Sequence, residues 1–94
     1  MPVLRYDLTQ EQEKKLREGT KIFGFEYAPF GFGHNILVPN SNQEGNIMIG
    51  RVEEYWKGGY WLEIYNYDGL PNEVRTKLDL VLNQCGFGKV EPGS

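Results

Sequence analysis

N-I-M-I-G-R-V-E-E-Y-W-K-G-G-Y-W-L-E-I-Y-N-Y, residues Asn46–Tyr67, holds two runs rich in Ile, Val, Tyr and Trp on either side of Gly58-Gly59. Runs of that composition flanking a glycine turn read as one long β-hairpin. The rest of the chain is organised around it.

Register decides which side chains share a face. A two-residue loop at Gly58-Gly59 would pair Trp56 with Trp61 and Tyr55 with Leu62, mixing charge and apolar bulk on both sides. A three-residue loop at Lys57-Gly58-Gly59 pairs Trp56 with Tyr60 and Tyr55 with Trp61, with Gly59 taking the positive φ that closes such loops. This second register separates the faces more cleanly and is the one expected, because a slip of one residue carries a strand's whole side-chain set to the opposite face. It puts Met48, Val52, Trp56, Tyr60, Leu62 and Ile64 on one side, with Glu54 as the exception. Arg51, Glu53, Tyr55, Trp61, Glu63, Tyr65 and Tyr67 take the other, joined by Ile47 and Ile49 at its far end. One flaw remains. Glu53 faces Glu63, a like-charge pair that only Arg51 reaching diagonally relieves.

Downstream, Asp68-Gly69-Leu70-Pro71 turns into a helix whose first turn accommodates Pro71. Val74, Leu78, Val81, Leu82 and Cys85 make a single apolar stripe at helical spacing, so this helix packs on the sheet. Gly86 suits the position just past the helix end, with Phe87 folding back on the last turn. Residues 88–94 read as a loosely held tail in which Lys89-Val90-Glu91 has the character of a short edge strand.

Upstream, Val3–Asp7 alternates like a short strand, and Thr9 with Gln12 forms a capping box that starts a helix over Gln10–Glu18, stopped by Gly19. Leu16 is nearly its only apolar residue, so a narrow contact with the fold is expected. Thr20–Ala28 reads as a strand, ended or confined to a sheet edge by Pro29. Phe30-Gly31-Phe32-Gly33-His34-Asn35 is a glycine-aromatic loop or bulged hairpin leading into Ile36-Leu37-Val38, and residues 40–46 are polar and turn-prone. The expected fold is α+β: a mainly antiparallel sheet of four to five strands in the order β-α-β-β-β-β-α, with the C-terminal amphipathic helix on one face. One long helix covers only one side of such a sheet, which leaves the other open.

At 94 residues the chain makes one domain, able to remove roughly 60–65% of its unfolded surface from water without metal or disulfide staples. Net charge is −3, and Lys14, Lys15 and Arg17 are interleaved with Glu11, Glu13 and Glu18, so a phosphate-binding basic patch is missing and nucleic acid is not an expected partner. The single Cys85 excludes an intramolecular disulfide, no Cys/His cluster has zinc spacing, and no cofactor is implied. The opening residues lack a basic and an apolar leader region, and no apolar run approaches the roughly 20 residues of a membrane span, so a cytoplasmic protein is expected.

His34 is the only histidine and the one side chain suited to acid–base work near neutral pH, but no nucleophile motif accompanies it. A loop histidine bonded to backbone is the plainer reading. Gly31-x-Gly33 lacks the remainder of any phosphate-loop pattern. Glu53, Glu54 and Glu63 invite comparison with a glycosidase carboxylate pair, yet so short a chain has little room for a cleft around them. Cys85 lies on the core stripe and reads as an inert buried thiol.

The stretch with most functional content is the set Arg51, Glu53, Tyr55, Trp61, Glu63, Tyr65 and Tyr67. Tyr, Trp and Arg dominate interface hot spots because each buries a large area and keeps a polar tip. The main expectation is a non-enzymatic binding module, an adaptor or inhibitor that holds another protein or a second copy of itself on this face. The first alternative is a small-ligand binder, nucleotide-like in its ligand, with Phe30, Gly31, Phe32, Gly33, His34 and Asn35 as its loop. The second is a small hydrolase built on His34 and the carboxylates. Whether the first helix covers the aromatic face separates a binding surface from ordinary core.

Overall fold

The computed structural model describes residues 3–39, 46–55 and 57–87. Expectations about 40–45, the facing of Trp56 and the tail 88–94 lie outside these residues. Strand β1 (Val3–Leu8) leads into helix α1 (Gln10–Ile22). Strands β2 (Glu26–Phe30), β3 (Gly33–Pro39), β4 (Asn46–Glu54) and β5 (Tyr60–Tyr65) follow, then a 3-10 turn (Tyr67–Gly69) and helix α2 (Asn72–Gln84). The five strands form one antiparallel sheet in the order β1-β5-β4-β3-β2, and the α+β class and the order of elements are as expected.

Both helices lie on the same side. Leu16 of α1 and Leu78, Val81 and Leu82 of α2 are fully buried against Leu4, Leu8, Ile36, Val38, Val52, Leu62 and Ile64 of the sheet. The capping box at Thr9 forms in full, and the Gln12 amide also donates to the Cys85 carbonyl at 3.0 Å, tying the start of α1 to the end of α2. The helix α1 is therefore part of the covering layer, resting there through the narrow contact expected of it, with Leu16 its one buried apolar side chain among the described residues.

It also runs past Gly19 to Ile22. A Cβ at Gly19 would stand 3.2 Å from Val81 Cγ1, so this glycine serves the close approach of the two helices. The stop is Gly24 at φ +80°, where Phe25 N–H donates to Thr20 O at 2.8 Å and Gly24 N–H to Lys21 O at 3.1 Å. The strand expected over Thr20–Ala28 accordingly begins only at Glu26 and carries on through Pro29, which stands in the edge strand β2 where its missing donor costs no ladder bond. Of the loop or bulged hairpin expected here, the hairpin forms, without a bulge: Phe30 pairs with Gly33 and Gly31-Phe32 makes the turn between β2 and β3.

The β4–β5 hairpin departs from the expected register by two residues. Glu54 pairs with Tyr60, Glu53 with Trp61 and Arg51 with Glu63. Tyr55 N–H donates to Gly59 O at 2.9 Å and Gly58 N–H to Tyr55 O at 3.0 Å, so the turn is closed between Tyr55 and Gly59, with Gly58 at φ +95° and Gly59 at the positive φ expected of it, +82°. A shift of two preserves facing. It also removes the like-charge pair, since Glu63 now sits between Arg51 on one neighbouring strand and Arg5 on the other.

Facing does change at the start of β4. Ile36 pairs with Gly50 but Leu37 with Met48, which makes Ile49 the extra residue of a β-bulge. Ile49 turns into the core at 0% exposure and Met48 turns out at 41%, the reverse of the alternation expected for both, and Ile47 moves to the helix side with Val38. Tyr67 is the second correction. Asn66 takes a left-handed conformation at φ 50°, the chain turns under the sheet, and Tyr67 is buried on the helix side with its hydroxyl donating to Asp79 Oδ1 at 2.6 Å.

Candidate functional site

Neighbouring strands bring their outward side chains into rows across the sheet. One row runs Ala28, Asn35, Arg51, Glu63, Arg5, and the next Phe30, Gly33, Glu53, Trp61, Asp7. Tyr55 lies at one end of these rows, and Leu37, Met48, Tyr65 and Val3 at the other. Among the described residues, no helix or strand packs over this face. The question left open by the sequence is answered: α1 covers the opposite side.

The face is tied together by its own contacts. Arg51 Nε donates to Glu53 Oε1 at 2.8 Å, its Nη1 to Asn35 Oδ1 at 2.8 Å and its Nη2 to the Phe30 carbonyl at 3.0 Å, with the guanidinium 5.3 Å from the Phe30 ring centre. Arg51 is thus largely buried while every bond holds it in one geometry. The Arg5 guanidinium lies 4.2 Å from the Trp61 ring centre, and Tyr55 meets the same indole edge-on at 5.2 Å. The Tyr55 hydroxyl donates to Asp7 Oδ1 at 2.8 Å. Burial, reinforced by the Glu63 carboxylate beside it, holds the Tyr65 phenol above the usual tyrosine range. The Trp61 indole N–H is buried without an acceptor among the described residues, a desolvation cost carried at the centre of the face.

Of the set read from the sequence, Arg51, Glu53, Tyr55, Trp61, Glu63 and Tyr65 come together here, and Tyr67 does not. Arg5 and Asp7 complete the face, as do Phe30 and Asn35. Their signal was the alternation in Val3–Asp7, too short to orient until its pairing with β5 was known.

The glycine-aromatic loop is divided between the two faces. Phe30 and Asn35 join Arg51, whereas His34 pairs with Val52 on the helix side and stacks on Tyr27 with ring centres 4.5 Å apart. Phe32 stands 92% exposed at the turn. A Cβ at Gly33 would lie 1.9 Å from the Val52 carbonyl oxygen, so this glycine is required by strand packing. His34 borders a cleft of about 140 Å³ with Glu13, Arg17, Glu54 and Tyr60. Glu13 is buried there, accepts from the Tyr27 hydroxyl at 3.0 Å and lies 3.9 Å from Arg17. The Glu53 and Glu63 carboxylates are on the other side of the sheet, so no His34–carboxylate arrangement forms with them. A larger groove of about 460 Å³, lined by Phe23, Phe25, Val38, Ile47, Leu70 and Val74, opens between the helices and the sheet end.

Cys85 is buried, and desolvation pushes its thiol up to about 11, in line with an inert core position. Among the described residues, no group of His, Cys, Asp and Glu could hold a metal ion, and no helix is long and apolar enough to cross a membrane. In comparison with known proteins, no family model, curated protein or solved structure matches this chain.

Proposed function

We propose that the chain is a non-enzymatic binding module, an adaptor or inhibitor that holds another protein on the open sheet face. The observation that carries this reading is the placement of both helices on one side, which leaves Arg5, Arg51, Tyr55, Trp61 and Tyr65 on a surface no described element covers. Their mutual bonds fix these side chains before a partner arrives, which lowers the ordering cost of association. Asp7, Glu26, Glu53 and Glu63 outnumber Arg5 and Arg51 on this face, so the partner surface it suits is apolar and bordered by Lys or Arg.

The test starts from affinity capture with mass spectrometry to identify the partner, followed by measured dissociation constants. Trp61→Ala and Tyr65→Ala are each expected to weaken binding by roughly tenfold or more, as central interface aromatics do. Leu80→Ala, at an exposed site on α2, is expected to leave it unchanged. All three variants should unfold cooperatively. Full affinity in both aromatic variants would remove the proposal.

A further inference from the structure

We propose that β1 is a self-association edge, along which two copies pair their β1 strands antiparallel about a two-fold axis at Tyr6. β1 ends the strand order and pairs only with β5, so among the described residues its outer backbone groups have no strand partner. It is six residues long and carries neither proline nor bulge, and of the devices that protect edges it has only the charges of Arg5 and Asp7, which are opposite in sign and so can pair with those of a second copy. The opposite edge, β2, is shorter and contains Pro29.

Charge selects the register. Arg5 is exposed, stacks on Trp61 and forms no ion pair with any described residue. Asp7, exposed on the same face, accepts from Tyr55 through Oδ1, and a carboxylate carries a second acceptor oxygen and a full negative charge for an arginine opposite. With the axis at Tyr6, Arg5 of each copy stands opposite Asp7 of the other, twice over, while Leu4 meets Leu8 on the helix side. Moving the axis to Arg5 sets two arginines opposite one another, and moving it to Asp7 sets two aspartates. Only the Tyr6 axis is self-complementary, and being isologous it closes as a dimer. The product is a continuous ten-stranded sheet with both helical layers on one side and both open faces on the other. This inference does not depend on the partner reading of the face.

Sedimentation velocity on the full chain tests it, with wild type, Arg5→Asp, Asp7→Arg and the double charge swap compared over a concentration series. The wild type is expected to dimerise, and each single variant to dissociate about tenfold more readily because it turns both cross-strand pairs into like charges. The double swap restores the opposite-charge pairs and is expected to recover dimerisation, an outcome that loss of fold in a single variant cannot imitate. A wild-type protein that stays monomeric up to ~1 mM overturns the proposal. So do single variants that dimerise as wild type, or a double swap that does not recover.

Discussion

Arg51 shows how one residue's role depends on register. Opposite Glu63 of β5 and bonded to Glu53 of its own strand, Asn35 of β3 and the Phe30 carbonyl of β2, it links four strands, whereas the register expected from the sequence offered it only a diagonal reach between two glutamates. Tyr67 and Cys85 carry a pH consequence. Desolvation, then the hydrogen bond to Asp79, pushes the Tyr67 phenol from 10.0 up to about 12, and desolvation pushes the Cys85 thiol from 9.0 up to about 11. The folded chain therefore keeps protons that the unfolded chain releases. Their contribution to stability is complete below the unfolded values and is lost as pH rises through the folded ones. Tyr6, Tyr27 and Tyr65 are raised as well and act in the same direction. Urea midpoints should fall between about pH 9 and about pH 12, and Tyr67→Phe with Cys85→Ala should flatten that fall. A midpoint that holds steady across this window contradicts the burial of both groups.

Among the elements, those whose cause is local were legible. The Thr9–Gln12 capping box, the Val74–Cys85 stripe and the Gly86–Phe87 cap need only neighbours along the chain, and all three form. The bulge at Ile49 and the run of α1 past Gly19 were not legible, because each answers to a contact across the fold. Two glycines separate these kinds of cause. An added Cβ at Gly24 meets open space, and only its φ of +80° opposes a side chain, so Gly24→Ala is expected to cost about 1 kcal/mol. At Gly33 the Cβ would strike the Val52 carbonyl at 1.9 Å, and Gly33→Ala is expected to cost at least ~3 kcal/mol by forcing β3 from β4. Chemical denaturation of the two variants gives the comparison. Equal losses would mean that β3 does not pack on β4 as described.

For the whole molecule, the sheet order places β5, β4 and β3 between two edges. Amide exchange should be slowest in β4 and β5, where each strand has two neighbours and a helical layer above, and fastest in β2. Protection of β1 should rise with protein concentration while that of β2 does not, the signature of pairing along one edge. Exchange in β2 as slow as in β4 would contradict the strand order.

The sequence by itself determined that the stretch after Asn46 holds a hairpin, which ends at Tyr65 and not Tyr67, that the second helix buries one stripe, that the class is α+β, and that Arg51, Tyr55, Trp61 and Tyr65 share a side. Alternation at period two and helical spacing at 3.6 residues are local properties, readable without a partner strand. Tertiary structure decided that both helices lie on the same face, that Ile49 rather than Met48 enters the core, and that Tyr67 turns under the sheet. It also decided that Arg5 and Asp7 stand beside Trp61 on β1, the strand that ends the sheet among the described residues. These outcomes rest on contacts between residues far apart in the chain, where close packing admits one arrangement and local pattern cannot distinguish among several.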